Sequence, residues 1–266
     1  FYKLFFIFIY TKKNKIIFKK IVSGNNLIIA RIYRYITLIL GMKPNEHEYK
    51  VMGMAPYCKE KYIEPILVKL KEMQEVKNKY FKNKKMPKDS YFSLKKIFEG
   101  FRFDSISGAL QKYTECLITK WFKNVINPKY ANNLCIAGGI AMNVKANLEI
   151  TKLNKIKTLY VPPSPDDSSQ AIGACYALCL LSNKKTSPIN TSYLGYEIEK
   201  EKVFKVVKEL SKNRYKITNK NIITKATDLL IKNKILGVCR GKSEFGARAL
   251  GNRSIVCNPG NFENVK

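Results

Sequence analysis

Asn133-Leu134-Cys135-Ile136-Ala137-Gly138-Gly139-Ile140-Ala141-Met142-Asn143 is the stretch on which the reading of the fold turns. Asn133–Ala137 has the make-up of a short buried strand, Gly138-Gly139 make a turn, and Ala141–Ile150 carries helical spacing. Thr158–Val161 then reads as a second strand and Pro162–Asp167 as a proline-stiffened loop. Ser168–Leu181 reads as a helix in which Ala171, Gly173, Ala174 and Ala177 permit close packing. Strand, turn, helix, strand, loop, helix is the rhythm of an α/β unit.

Working towards the N-terminus, Asp104 is placed to cap a long helix reaching Lys123, with Ile106, Leu110, Tyr113, Leu117 and Trp121 on one stripe. Lys77–Ser90 reads as a solvated, lysine-rich loop. Tyr62–Met73 and Asn25–Leu40 have helical spacing, and the segment between them, with Pro44, Gly53 and Pro56, reads as a loop. Phe1–Tyr10 is apolar but shorter than the ~20 residues a bilayer span needs, and is expected to be a buried strand or a spurious leader. Towards the C-terminus, Lys184–Thr191 marks a domain boundary. Ile222–Lys234 reads as a helix, Ile235–Cys239 as a strand, Arg240–Arg253 as a glycine-rich basic loop and Ser254–Cys257 as a further strand. The chain opens on Phe1 and its last residues, Asn261–Lys266, contain no closing element, so both ends are expected to be cut.

The 266 residues allow one large domain or two modest ones with a sizeable core, at 45% hydrophobic and 26% charged residues. The balance of 49 Lys+Arg against 20 Asp+Glu gives a net charge of +29, which raises a nucleic-acid reading. Composition argues against it. Arginine, the residue of bidentate phosphate recognition, occurs only at positions 31, 34, 102, 214, 240, 248 and 253, and lysine supplies the rest of the charge along the whole chain. Seven cysteines form no CxxC pair, and most lie in apolar sequence. They read as free buried thiols of a reducing, cytoplasmic compartment. His47 is the single histidine, so neither a His–His metal pair nor a Ser-His-Asp triad can be assembled within the chain.

Four segments carry the candidate chemistry. The glycine pair Gly138-Gly139 lets a ligand approach backbone closely beside a helix start. In Pro162-Pro163-Ser164-Pro165-Asp166-Asp167, adjacent carboxylates on a stiff loop suit a divalent cation, with helix capping by Asp167 or Ser168 as the structural alternative. In Gly241–Ser254, three glycines with Lys242, Arg248 and Arg253 suit an acidic, phosphate-bearing ligand. His47–Tyr57 holds Glu48 and Lys50 around the lone histidine.

In order, HEYKVMGMAPY (47–57), CIAGGIAMNVKAN (135–147), LYVPPSPDDSSQAIGACYA (159–177) and GKSEFGARALGNRSI (241–255) resemble the carbamoyltransferase family of nodulation-factor and antibiotic-biosynthesis enzymes. The resemblance implies a partial actin-like, sugar-kinase-like ATPase domain followed by the truncated start of a carbamoyl-adenylate synthase-like α/β domain. It divides the chain into an unmatched segment 1–24, the C-terminal part of the carbamoyl-transfer domain over 25–186, and the start of the adenylate-forming domain over 187–266. The implied reaction joins carbamoyl phosphate and ATP into carbamoyl-adenylate, then transfers the carbamoyl group to a hydroxyl of a small-molecule acceptor.

By the same resemblance, Gly138, Gly139 and Asn143 fall on the nucleotide-cradling turn. Asp167 falls on a metal-ligating carboxylate (Fe, Mg or Mn). Lys242, Arg248, Asn252 and Ser254 fall on the loop that grips carbamoyl phosphate and ATP. Glu48 and Lys50 fall near the transfer site, as catalytic candidates without assigned roles. The sequence departs from the pattern in two places. The family's upstream metal-site histidines are not present, and Ala247 stands where proline is usual. These departures leave an inactive remnant of the family, or a tRNA-binding module, as the alternatives.

Overall fold

The computed structural model describes residues 4–12, 15–24, 26–85, 87–126, 133–210, 212, 215–218 and 220–264, with the description confined to backbone for 4–18, 200 and 262. The chain divides into two compact units, Phe1–Asp167 and Ser168–Lys266.

The first unit opens with an antiparallel pair, β1 (Leu4–Lys12) and β2 (Lys15–Gly24), whose register shifts between Phe6 and Ile7. The burial expected of Phe1–Tyr10 falls on side chains outside the described residues. Helix α1 (Ile29–Ile39) follows and buries Ile29, Ile32, Tyr33 and Ile36 on one face, as its spacing dictates. The region expected as a loop instead holds α2 (Glu48–Met54), continued by a 3₁₀ turn over Ala55–Tyr57. Fully buried Val51 draws this segment onto the core, and Glu48 Oε1 accepts the backbone N–H of Asn45 at 2.7 Å, fixing the turn that starts it. Tertiary packing here outweighs the low helix propensity of Gly53. Helix α3 (Glu64–Lys71) buries Ile66, Leu67 and Leu70.

The lysine-rich stretch is not an open loop. Strands β3 (Gln74–Lys77) and β4 (Tyr80–Asn83) form an antiparallel hairpin turned by Asn78, whose φ of 54° lies in the left-handed region that asparagine tolerates. Its buried residues are Gln74, Val76 and Phe81, and Phe81 stacks on Trp121 with ring centroids 5.6 Å apart. Lysine dominates the composition, but one aromatic at an inward position decides the structure. After α4 (Ser90–Phe98), capped by Asp89 through the Phe92 N–H, comes α5 (Phe103–Val125), the longest helix among the described residues.

All five residues of the expected α5 stripe are buried. Asp104 is not its cap, however. Arg102 occupies that position, and Asp104 lies in the first turn, where it accepts from the Ser105 N–H and from the Arg102 guanidinium. Gly108 lets α5 approach Ile63 closely: a Cβ there would meet the isoleucine side chain at 2.9 Å. Strand β5 (Asn133–Cys135), a 3₁₀ turn over Gly139–Met142, helix α6 (Val144–Thr151) and strand β6 (Thr158–Tyr160) complete the unit. β5 and β6 pair in parallel, so this is the expected α/β unit. Its first strand is not buried as expected: Asn133 and Cys135 are exposed.

The second unit starts with a 3₁₀ turn shared at Asp167–Ser169 and α7 (Gln170–Leu181), then α8 (Lys200–Leu210), α9 (Ile222–Ile231) and the antiparallel pair β7 (Leu236–Cys239) and β8 (Arg253–Val256). The core cluster lies wholly in the first unit, and among the described residues from 168 onward none is buried. Cysteine burial also departs from expectation. All seven thiols are free, as read, but each is exposed or only half-buried.

Candidate functional site

Parallel pairing of β5 with β6 brings the C-terminal ends of both strands to one edge, the edge at which α/β sheets bind ligands. The pairing continues past the strands, where the Ile136 N–H donates to the Tyr160 carbonyl at 3.0 Å. The chain then turns at Gly138, whose φ of 105° lies where a Cβ is strained. From there the Gly138 N–H donates to the Pro165 carbonyl at 2.6 Å. The glycine turn and the proline-aspartate loop, separate in sequence, therefore form one surface. Gly138 and Gly139 are both exposed on it.

On the loop, Ser164 is 2% exposed and donates its hydroxyl to Asp166 Oδ1 at 2.7 Å, which fixes the first carboxylate. Asp167, the metal candidate, is exposed in the 3₁₀ turn that follows. Among the described residues no group of three or more His, Cys, Asp or Glu side chains is placed to hold a metal ion. Asp166 and Asp167 are the adjacent carboxylates of this loop, and a Mg²⁺ ion is commonly held by one or two carboxylates with waters and substrate phosphates completing its shell.

Asn143 points the other way. Its side chain is buried at 7% exposure and caps α6, Oδ1 accepting the Ala146 N–H at 3.0 Å. Its amide also pairs with that of Gln111, a residue the sequence reading missed because it lies beside the apolar stripe of α5 with nothing in its neighbours to mark it as buried. The 3₁₀ turn is held from a second side, since Asn147 Nδ2 donates to the Ala141 carbonyl at 2.7 Å.

Glu48 and Lys50 lie on α2. The Glu48 carboxylate is occupied with the Asn45 N–H, and Lys50 Nζ lies 3.3 Å from His47 Nε2. His47 Nδ1 accepts the Lys43 N–H at 3.1 Å, which anchors the imidazole. The described hydrogen bonds and ion pairs join neither Glu48 nor Lys50 to the Gly138 turn.

In the second unit, residues 241–254 form an internally bonded loop. Glu244 Oε1 accepts the N–H groups of Leu250 and Asn252 at 2.9 and 2.6 Å. Partial desolvation works to raise the Glu244 carboxyl, but these backbone donors, with the Arg253 N–H and charge, outweigh it and hold the carboxyl below its ordinary range. Arg253 spends its guanidinium on the carbonyls of Arg240, Gly241 and Asn252 and on Ser243 Oγ. Asn252 Nδ2 donates to the Lys242 carbonyl, and Ser254 Oγ accepts the Gly251 N–H. Asn252 and Ser254 thus shape the loop, while Lys242 is exposed on it and Arg248 half-buried. Glu244 is a second residue missed in the sequence, although an acid among glycines and cations was the signal available. The preceding segment pairs with this loop through the Tyr196 carbonyl and Ser243 N–H, and Gly195 is required there because a Cβ would come within 2.7 Å of Ser243 Cβ.

The site is that of an α/β protein with a glycine turn at the C-terminal edge of a parallel strand pair. Comparison with known proteins takes the assignment further. Residues 2–176 match the family model described as the carbamoyltransferase N-terminus, and residues 227–266 match that of the carbamoyltransferase C-terminus. The chain belongs to the carbamoyltransferase family. The first match begins at residue 2 and so includes residues 2–24, to which the four sequence blocks do not extend.

An uncharacterised protein of Methanocaldococcus jannaschii is 33% identical, covering 90% of this chain and 48% of the relative. Nodulation protein NolO of Bradyrhizobium diazoefficiens is 25% identical over 82% of this chain and 41% of its own length. Nodulation protein U of Sinorhizobium fredii is 34% identical over 47% of this chain and 21% of its own. The chain spans about half the length, or less, of the curated relatives it matches. No helix among the described residues is long and apolar enough to cross a membrane.

Proposed function

We propose that this chain is part of an ATP-dependent O-carbamoyltransferase that forms carbamoyl-adenylate from carbamoyl phosphate and ATP and passes the carbamoyl group to an acceptor hydroxyl. The observation that carries the reading is the Gly138 N–H to Pro165 carbonyl bond, which sets an exposed glycine turn against the Asp166-Asp167 loop at the ligand-binding edge of a parallel strand pair. Family membership supplies the reaction class, and the turn supplies a place where backbone can meet a phosphate or an adenylate.

In this reading Gly138 and Gly139 cradle the nucleotide and Asn143 acts behind them, holding the turn. Lys242 and Arg248 supply positive charge to carbamoyl phosphate, on a loop whose shape Glu244, Asn252, Arg253 and Ser254 set. Adenylation makes chemical sense for this transfer because AMP is a good leaving group, and holding the adenylate away from water limits its hydrolysis. The experiment is pyrophosphate release from ATP by the full-length protein, measured with and without carbamoyl phosphate. Release that depends on carbamoyl phosphate and falls at least tenfold in Lys242→Ala is the expected result. Pyrophosphate release indifferent to carbamoyl phosphate would refute the reaction.

A further inference from the structure

We propose that Gln111, on α5, is a positioning residue for the Gly138–Asn143 turn, acting through Asn143; the inference rests on the reading of that turn as the nucleotide site. Gln111 and Asn143 exchange two hydrogen bonds: Gln111 Nε2 donates to Asn143 Oδ1 at 3.0 Å, and Asn143 Nδ2 donates to Gln111 Oε1 at 2.9 Å. The two residues are 4% and 7% exposed, so water does not compete for these groups. Gln111 Nε2 also donates to Glu115 Oε1 at 2.8 Å, and Gln111 Oε1 accepts the hydroxyl of Tyr33, 5% exposed on α1, at 2.7 Å.

The orientation of every group in this chain is dictated from its ends. The Ala146 N–H can only donate, so the atom of Asn143 facing it is the oxygen. Glu115 Oε1 accepts at the other end, so the atom of Gln111 facing it is the nitrogen. With both amides fixed in this way, the pair has one satisfied arrangement, and the Tyr33 hydroxyl must donate into it. A flip of either amide would set oxygen against oxygen and nitrogen against nitrogen. The network therefore specifies one rotation of Asn143. Asn143 closes the 3₁₀ turn that begins at Gly139, so it specifies where the Gly138-Gly139 backbone lies. Three elements, α1, α5 and α6, are thus joined at Asn143, one residue beyond the 3₁₀ turn.

A buried amide that loses its mate is costly, whereas removal of both amides together leaves no orphan. That asymmetry separates positioning from stability. In the full-length protein, Gln111→Leu and Asn143→Leu each lower the thermal unfolding midpoint, and the double variant recovers most of that loss. ATP affinity, measured by calorimetric titration, falls about tenfold in all three, since apolar side chains cannot fix the rotation of the turn. Tyr33→Phe removes one hydroxyl and little volume, leaves the fold intact and lowers ATP affinity about threefold. An affinity restored along with the midpoint in the double variant, or unchanged in Tyr33→Phe, overturns the inference while leaving the nucleotide site standing. Wild-type protein that binds no ATP overturns the reading of the site and the inference with it.

Discussion

Gly138 and Gly139 are adjacent, both are exposed, and a Cβ built on either meets nothing within 4 Å, yet they are not equivalent. Gly138 has a φ of 105°, in the region an L side chain rarely adopts, and Gly139 does not. Gly138→Ala therefore strains the backbone by roughly 1–3 kcal/mol without any clash, at the residue whose N–H bonds to Pro165. Gly139→Ala meets neither obstacle. The expected outcome is a lowered unfolding midpoint and weakened ATP binding for Gly138→Ala, with Gly139→Ala close to wild type in stability. Equal stabilities for the two variants would show that the turn is held less firmly than the Gly138–Pro165 bond implies. At this scale the sequence was partly legible. The glycine pair announces a turn, but which glycine needs its freedom depends on a hydrogen bond to a residue far along the chain. The inward direction of Asn143 was likewise hidden, because a side chain at a turn reads the same whether it faces a ligand or a helix.

The start of α5 shows how an element is secured by groups that sequence spacing misplaces by two residues. Asp104 is buried in the first helical turn, and the exposed Arg102 donates to it from Nε and Nη2 at 3.1 and 3.0 Å. The hydrogen bond from Arg102 is the main cause that holds the Asp104 carboxyl below its ordinary value of 3.8, burial opposing it and the Arg102 charge and Ser105 N–H adding to it. A carboxylate in the first turn is also favoured by the helix dipole. A group whose folded pKa is depressed stabilises the fold fully above its unfolded pKa, and that contribution is lost as pH falls through the folded value.

The stability gap between wild type and Asp104→Asn should accordingly be constant from neutral pH down to about pH 5, then close as the solution is acidified below the ordinary carboxylate range. Because Arg102 is open to solvent, screening by water keeps the gap small. Urea midpoints for both proteins across that range test it, and a gap that widens on acidification would contradict the sign. The apolar stripe of α5 was legible because helical periodicity exposes itself in a single chain. The β3–β4 hairpin was not, because its inward pair, Val76 and Phe81, stands among lysines, and its partner Trp121 lies on another element. Nor was α2, where a glycine and two flanking prolines suggested a loop and a contact of buried Val51 decided for a helix.

For the molecule as a whole, the question is what a net charge of +29 does. Order along the chain made the α/β unit and the family legible, whereas charge alone pointed towards a nucleic-acid partner. Among the arginines, Arg253 is committed to carbonyls within its own loop and Arg102 to Asp104. The ion pairs among the described residues are mostly lysine contacts with exposed partners, such as Lys43–Glu46 and Lys85–Glu72. Dispersed lysine ammonium groups attract a polyanion through counterion release and discriminate little between sequences. The protein should thus bind duplex DNA and RNA of any sequence at low salt. Affinity should fall steeply as salt rises from about 50 to 200 mM, with no preferred base and no ordered complex left at the upper end. Fluorescence anisotropy with labelled oligonucleotides of unrelated sequence reads this directly. A complex that survives at the higher salt and distinguishes one sequence from another would mean that the basic surface is a built site, and that the carbamoyltransferase reading omits a partner.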